Sequence, residues 1–106
     1  MATKYDGDKV ELDLLPYDSL IEICRTLEFG AKKYGRGNYM KGLDIRRLIN
    51  ACLRHIMEFN NGVDFDDESG KSHLSHAACN LIFAMWMMKN RRDMDNRWIK
   101  DYLKND

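Results

Sequence analysis

From Leu74 to Met88 the chain turns apolar on every side, with Leu81-Ile-Phe-Ala-Met-Trp-Met-Met88 as its longest run. A helix that is apolar all round belongs in the middle of a fold. Its first half nonetheless carries His73, His76 and Asn80 at i, i+3 and i+7, a spacing that stacks three polar side chains on one face. Two amphipathic patterns precede it. The first places Leu20, Ile23, Cys24, Leu27, Ala31 and Tyr34 on one stripe, with Pro16 suited to its first turn, Asp18 and Ser19 as alternative caps, and Gly35 as its stop. The second has Ile45, Leu48, Ile49, Cys52, Leu53, Ile56 and Phe59, capped by Asp44 and stopped by Asn60-Asn61-Gly62. Met94, Trp98 and Tyr102 then recur every four residues, predicting a short amphipathic helix within 93–106. Residues 1–16 read as an extended arm closing on Leu14-Leu15-Pro16. With no strand alternation anywhere, the expectation is all-α: one domain over residues 1–106, a bundle of three main helices plus a short C-terminal one.

A chain of 106 residues has room for one modest core. Apolar residues are left over on the first, central and last helices, so a homo-oligomer, a dimer or larger, is expected. Glu22 and Phe29 lie on the face opposite the first stripe, which suggests cover there too. Seventeen basic residues against seventeen acidic ones give no global field to attract a nucleic-acid polymer or anionic lipid. The apolar run is too short to cross a bilayer. Cys24, Cys52 and Cys79 form no Cys-x-x-Cys pair and fall on helical patterns, as thiols of a reducing cytoplasm do.

Chemistry concentrates in two places. The loop Gly35-Arg-Gly-Asn-Tyr-Met-Lys-Gly42, entered from Lys32-Lys33-Tyr34, offers cations, backbone N–H groups and aromatic faces, which suits a phosphate and a base. A plain glycine-rich connection between antiparallel helices would look the same. The other is the turn from the second helix to the third. There His55, Glu58, Asp64, Asp66, Asp67, Glu68, His73 and His76 gather oxygen and imidazole groups, while Arg47 and Arg54 share a flank. Carboxylates favour Mg²⁺ or Mn²⁺, and histidines shift the preference toward Mn²⁺, Zn²⁺ or Fe²⁺. The spacing matches neither a zinc signature nor an EF-hand; a solvated acidic loop is the plain alternative. For His73, His76 and Asn80 the plain alternative is hydrogen bonding to backbone carbonyls; two histidines and an asparagine on one apolar helix favour a ligand-facing stripe.

The blocks Phe29-Gly-Ala-Lys-Lys-Tyr-Gly35, Asn38-Tyr39, Leu53-Arg-His55, Asp67-Glu-Ser-Gly70 and His73-Leu-Ser-His-Ala-Ala-Cys-Asn80 resemble the phage-encoded dATP/dGTP diphosphohydrolase N-terminal-domain family. That family is distantly similar to the MazG-like all-α nucleotide pyrophosphohydrolases. The resemblance implies paired acidic motifs on two helices that hold divalent metal against a triphosphate, releasing nucleoside monophosphate and pyrophosphate. This chain departs from the broader pattern. Ala77 and Asn80 stand where Glu-x-x-Asp is expected, and no carboxylate lies between Lys71 and Asn90. On the second helix, His55 and Glu58 keep part of an acidic pair.

Three readings follow. In the first, a metal-dependent purine deoxynucleoside triphosphate pyrophosphohydrolase uses Glu58, Asp67 and Glu68 as catalytic groups. Those three and His76 would hold Mg²⁺ or Mn²⁺, with Lys33, Asn38, Arg54 and His55 on the phosphates, Tyr39 against the base, and Lys32 and Tyr34 also binding the nucleotide. In the second, a metal-free module sequesters a purine nucleotide, cyclic or modified, that signals host anti-phage defence, adding His73, His76 and Asn80 to the same cationic and aromatic groups. A scaffold with a vestigial pocket is the third. All three place the protein in the cytoplasm of an infected bacterial cell.

Overall fold

The computed structural model describes residues 1–104. Four α-helices run in chain order: α1 Tyr17–Tyr34, α2 Ile45–Asn60, α3 His73–Asn90 and the short α4 Trp98–Lys104. Single 3-10 turns at Leu12–Leu14, Asn38–Lys41 and Arg92–Met94 fill the connections. Among the described residues there is no strand, only an isolated bridge between Phe65 and Ser72 that pins the α2–α3 loop. The all-α expectation of three main helices and a short fourth is met.

The ends of the helices follow local chemistry. Pro16, in extended conformation, stands immediately before α1, so Asp18 lies inside the first turn and neither it nor Ser19 is the cap. Gly35 closes α1 at φ +95°, a conformation that favours glycine. Asp44 occupies the N-cap position of α2 without a side-chain hydrogen bond. Ser72 caps α3, its hydroxyl accepting the Ser75 N–H at 3.0 Å. The C-terminal helix starts later than the pattern predicts: Met94 belongs to the preceding 3-10 turn, where it packs against the core.

The core sits between α2 and α3. Ile45 and Leu48 of α2 meet Met87 of α3, which is fully buried, and Tyr39, Leu43, Phe83, Trp86 and Met94 pack around them. At the other end of the same seam, Cys52 and His73 are buried.

Helix α1 corrects the expected stripe. Thr26 is its one buried residue among those described; Leu20, Cys24 and Tyr34 are exposed, and Ile23, Leu27 and Ala31 are half-buried. It docks on α3 through polar groups instead. Thr26 Oγ1 and Ser75 Oγ share a buried hydrogen bond of 2.7 Å, and the Ser72 hydroxyl donates to the Glu22 carboxylate. Cys79 Sγ donates weakly to the Ile23 carbonyl at 3.7 Å. Glu22 and Thr26, at i and i+4, thus supply the polar contacts to α3, while Leu27 and Ala31 of the apolar stripe border the cleft half-buried.

Helix α3 is central in position but not enclosed. Leu74, Leu81 and Met85, again at helical spacing, form an exposed stripe, with Met85 66% accessible. The thiol of Cys24 is likewise exposed rather than buried.

Candidate functional site

Because α1 and α2 each pack on α3 but not closely on one another, a cleft opens between them with α3 as its floor. It measures about 1120 Å³. Its walls are Leu27, Ala31, Lys33 and Tyr34 from α1 and Arg47, Ala51, Arg54 and His55 from α2, with His76, Cys79, Asn80 and Phe83 beneath. The glycine-rich loop closes one end through Arg36, Asn38 and Tyr39.

That end is aromatic. The Tyr39 ring stacks on Phe83 with centroids 4.9 Å apart and meets Trp86 edge-on at 5.0 Å. The Arg91 guanidinium donates to the Met40 carbonyl at 3.1 Å and so ties the loop to the end of α3. Tyr39 is therefore half-buried against the core, leaving part of its surface to the cleft.

The opposite end is imidazole-rich. His55 and His73 face each other with their Nδ1 atoms 2.8 Å apart, one donating to the other. His76 stacks on the His55 ring at 4.6 Å with the planes 10° apart. A second strand of contacts comes from the loop. Asp66 Oδ2 accepts the Ser69 N–H at 2.9 Å and the Ser69 hydroxyl at 3.0 Å, and Ser69 Oγ lies 2.7 Å from His76 Nε2. His76 Nε2 is itself 3.8 Å from Asp66.

Burial, reinforced by the neighbouring imidazoles, lowers the affinity of His55 for a proton. Burial does the same to His76, against the pull of Asp66. For Asp66, burial works against ionisation, but the two hydrogen bonds from Ser69 outweigh it and hold the carboxyl below its ordinary value. Burial, with Cys24 nearby, pushes the Cys79 thiol up to about 11, which makes it an inert wall rather than a nucleophile.

Of the residues singled out from sequence, Lys33, Tyr34, Asn38, Tyr39, Arg54, His55, Glu68, His76 and Asn80 come together on this cleft. Lys32 does not line it. His73 is buried behind His55 and opens instead on a smaller cavity of about 310 Å³, which it shares with Glu58, Phe65 and Asp67. The four residues expected to hold metal are thereby divided: Glu68 and His76 on the large cleft, Glu58 and Asp67 on the small one. Asn80 lines the cleft while donating to its own helix, Nδ2 to the His76 carbonyl at 2.9 Å.

The cleft adds three residues that the expected nucleotide-binding set lacks. Arg36 and Arg47 line the cleft beside Arg54, and among the described residues none of the three makes an ion pair. Asp66, one of four acids in the α2–α3 loop, is the one folded inward. Its signal is the Asp-x-x-Ser spacing to Ser69, which sets up a side-chain-to-backbone turn. No helix among the described residues is long and apolar enough to cross a membrane.

Fold and cleft together define an all-α domain with a cationic, aromatic-ended cleft of the size that takes a small polar ligand. The chain belongs to the family described as dATP/dGTP diphosphohydrolase, N-terminal, whose model matches residues 1–97. It is 42% identical over 94 residues to a dATP/dGTP diphosphohydrolase of Salmonella phage PMBT28, a match covering 89% of this chain and 32% of the relative. The chain thus spans about a third of that relative's length. No solved structure matches it.

Proposed function

We propose that this chain is the nucleotide-binding domain of a purine deoxynucleoside triphosphate pyrophosphohydrolase, cleaving dATP or dGTP to the monophosphate and pyrophosphate. One observation carries the reading: a single cleft joins three guanidinium groups, Arg36, Arg47 and Arg54, which make no ion pair among the described residues, to an aromatic end at Tyr39 and Phe83. Guanidinium forks bind phosphate oxygens in pairs, and a ring offers a purine a stacking face. The relative's name supports the same substrate class.

In this reading Arg47 and Arg54, eight and one residues before His55 on α2, receive the phosphates, and Arg36 and Asn38 close over them from the loop. Lys33 reaches the same cleft with its ammonium held by Glu68, an ion pair that triphosphate binding would have to share. Tyr39 meets the base. The exposed stripe of α3 is where a second copy would sit. Divalent metal, when bound, would neutralise the polyphosphate and activate water. Of the residues expected to hold it, Glu58 and Asp67 line the smaller cavity and Glu68 and His76 the cleft, so they would have to draw together around an ion. Incubation with dATP or dGTP and Mn²⁺ or Mg²⁺ should yield monophosphate and pyrophosphate; intact triphosphate after long incubation contradicts hydrolysis.

A second reading has its own observation. Each carboxylate on the cleft is already engaged: Glu28 by Arg25, Asp66 by Ser69 and Glu68 by Lys33. A cleft whose acids are partnered, Asp66 through Oδ2, and whose guanidinium groups make no ion pair among the described residues would bind an anion without metal. Metal-free binding of a nucleotide, including a cyclic or modified one of host defence, with no turnover would select this sequestering module.

A further inference from the structure

We propose that His55, Asp66 and His73 form a binding site for one divalent first-row transition-metal ion, distinct from the carboxylate set that the family resemblance implies. The site's existence stands on its own donors; its part in nucleotide chemistry rests on the reading above.

One ligand atom from each of the three residues lies within 4.8 Å of the other two. They come from three separate segments, α2, the loop and the first turn of α3, so the convergence is a product of the tertiary fold and not of helical spacing. The loop is fixed from both sides. The His73 N–H donates to the Asp64 carbonyl at 2.9 Å, and the Asp66 N–H to the Lys71 carbonyl at 2.8 Å. Both bonds from Ser69 fall on Asp66 Oδ2, which leaves Oδ1 outside that turn.

The donor types decide the class of ion, and the imidazole spacing sets how far the rings must move to hold it. Two nitrogens bound at about 2.1 Å stand about 3.0 Å apart at right angles and about 3.4 Å apart in a tetrahedron. The observed 2.8 Å between the Nδ1 atoms is the length of their hydrogen bond and lies below both values, so the rings part by about 0.2–0.6 Å to admit an ion. Two imidazoles and one carboxylate favour Mn²⁺, Fe²⁺ or Zn²⁺ over Mg²⁺ and Ca²⁺, which take oxygen. An ion there replaces the hydrogen bond between the rings, and the imidazole that donated it carries its proton on Nε2 instead. No proton is lost overall.

Position links the site to the cleft. His55 and Asp66 line both cavities, so the ion would lie where the two meet, with its remaining coordination positions open to a ligand. His76 is a positioning residue: it stacks on His55 and, through Ser69, connects back to Asp66. Orienting partners of this kind hold metal-bound imidazoles in place.

The test uses the chain without nucleotide. After treatment with chelator, Mn²⁺ and Zn²⁺ should each bind at one ion per chain by calorimetry and raise the melting temperature, and Mg²⁺ at equal concentration should do neither. Asp66→Asn and His55→Gln, checked for native circular dichroism, should each weaken Mn²⁺ binding about tenfold or more. Spin-echo spectra of Mn²⁺ on the unaltered chain should show coupling to imidazole nitrogen, a readout that needs no variant. An all-oxygen environment, equal binding of Mg²⁺, or binding that survives Asp66→Asn but fails in Glu58→Gln or Asp67→Asn overturns the site. Because no nucleotide is present, failure here leaves the hydrolysis assay standing, and failure of that assay leaves this one standing.

Discussion

His55 and His73, eighteen residues apart in the chain, meet Nδ1 to Nδ1 at 2.8 Å across the seam of α2 and α3. Only one of two such rings can donate, so the contact is stable while at least one ring is neutral and is broken when both are charged. With His76 stacked on His55 at 4.6 Å, three imidazoles share one small volume.

That crowding predicts the pH dependence of stability. His55 and His76 bind protons less readily in the folded chain than in the unfolded one, first because of burial. The stability they contribute is therefore fully present above the ordinary histidine value of about 6.5 and is lost as pH falls through the lowered folded values. Asp66, also lowered, adds a further loss in more acid solution. Thermal melts in chelator should give a lower midpoint at pH 5 than at pH 7.5. A midpoint that rises on acidification contradicts the arrangement.

The core predicts a sharp contrast between two methionines two residues apart. Met87 is fully buried and Met85 is 66% exposed. Met87→Ala should cost about 2–5 kcal/mol in urea unfolding, and Met85→Ala within about 0.5 kcal/mol. Similar costs at both positions would mean that Met85 is covered in solution. Light scattering on the same samples would then show whether a second copy provides the cover; a monomeric mass would remove the expected oligomer.

The hydroxyl pair between α1 and α3 is a second structural test. Thr26 Oγ1 also lies 3.2 Å from the Glu22 carbonyl, and Ser75 Oγ donates to the Ser72 carbonyl at 2.8 Å, so neither is orphaned by loss of the other. Thr26→Val and Ser75→Ala should each cost about 1 kcal/mol by chemical denaturation. The double variant should cost less than the sum, since the shared bond is lost once.

Gly42 is held at φ +107°, and a Cβ there would meet Met94 Sδ at 2.7 Å and the Arg91 guanidinium at 3.1 Å. Gly42→Ala should lower the melting temperature and loosen the loop that carries Tyr39, whereas Gly62→Ala, also at positive φ but in open space, should cost less.

Much of the fold was legible because periodicity reports burial directly. Ile45, Leu48 and Cys52 repeat at helical spacing, and all three are buried against α3. The stripe of α1 misled for a physical reason. Amphipathicity names the apolar face but not the neighbour it meets, and here a Glu22–Thr26–Ser75 set of hydrogen bonds docks the polar side while the apolar side borders the cleft. At the site, His76 and Asn80 could be placed on one helical face by counting residues. The inward turn of Asp66 had only the short Asp-x-x-Ser spacing to mark it among Asp64, Asp66, Asp67 and Glu68, and it is the hydrogen bonds of Ser69 and the Phe65–Ser72 bridge that set it apart.

The central claim is that the cleft between α1 and α2 receives the phosphates of a purine deoxynucleotide, and calorimetry with dGTP and dATP tests it most directly. Saturable binding is expected, weakened about tenfold or more by Arg54→Ala and again by Arg47→Ala, as loss of charged hydrogen bonds of about 1.5–3 kcal/mol requires. Lys89→Ala, on the exposed last turn of α3, should leave it unchanged. Absence of binding at millimolar nucleotide, or affinities indifferent to both arginines, would contradict the account.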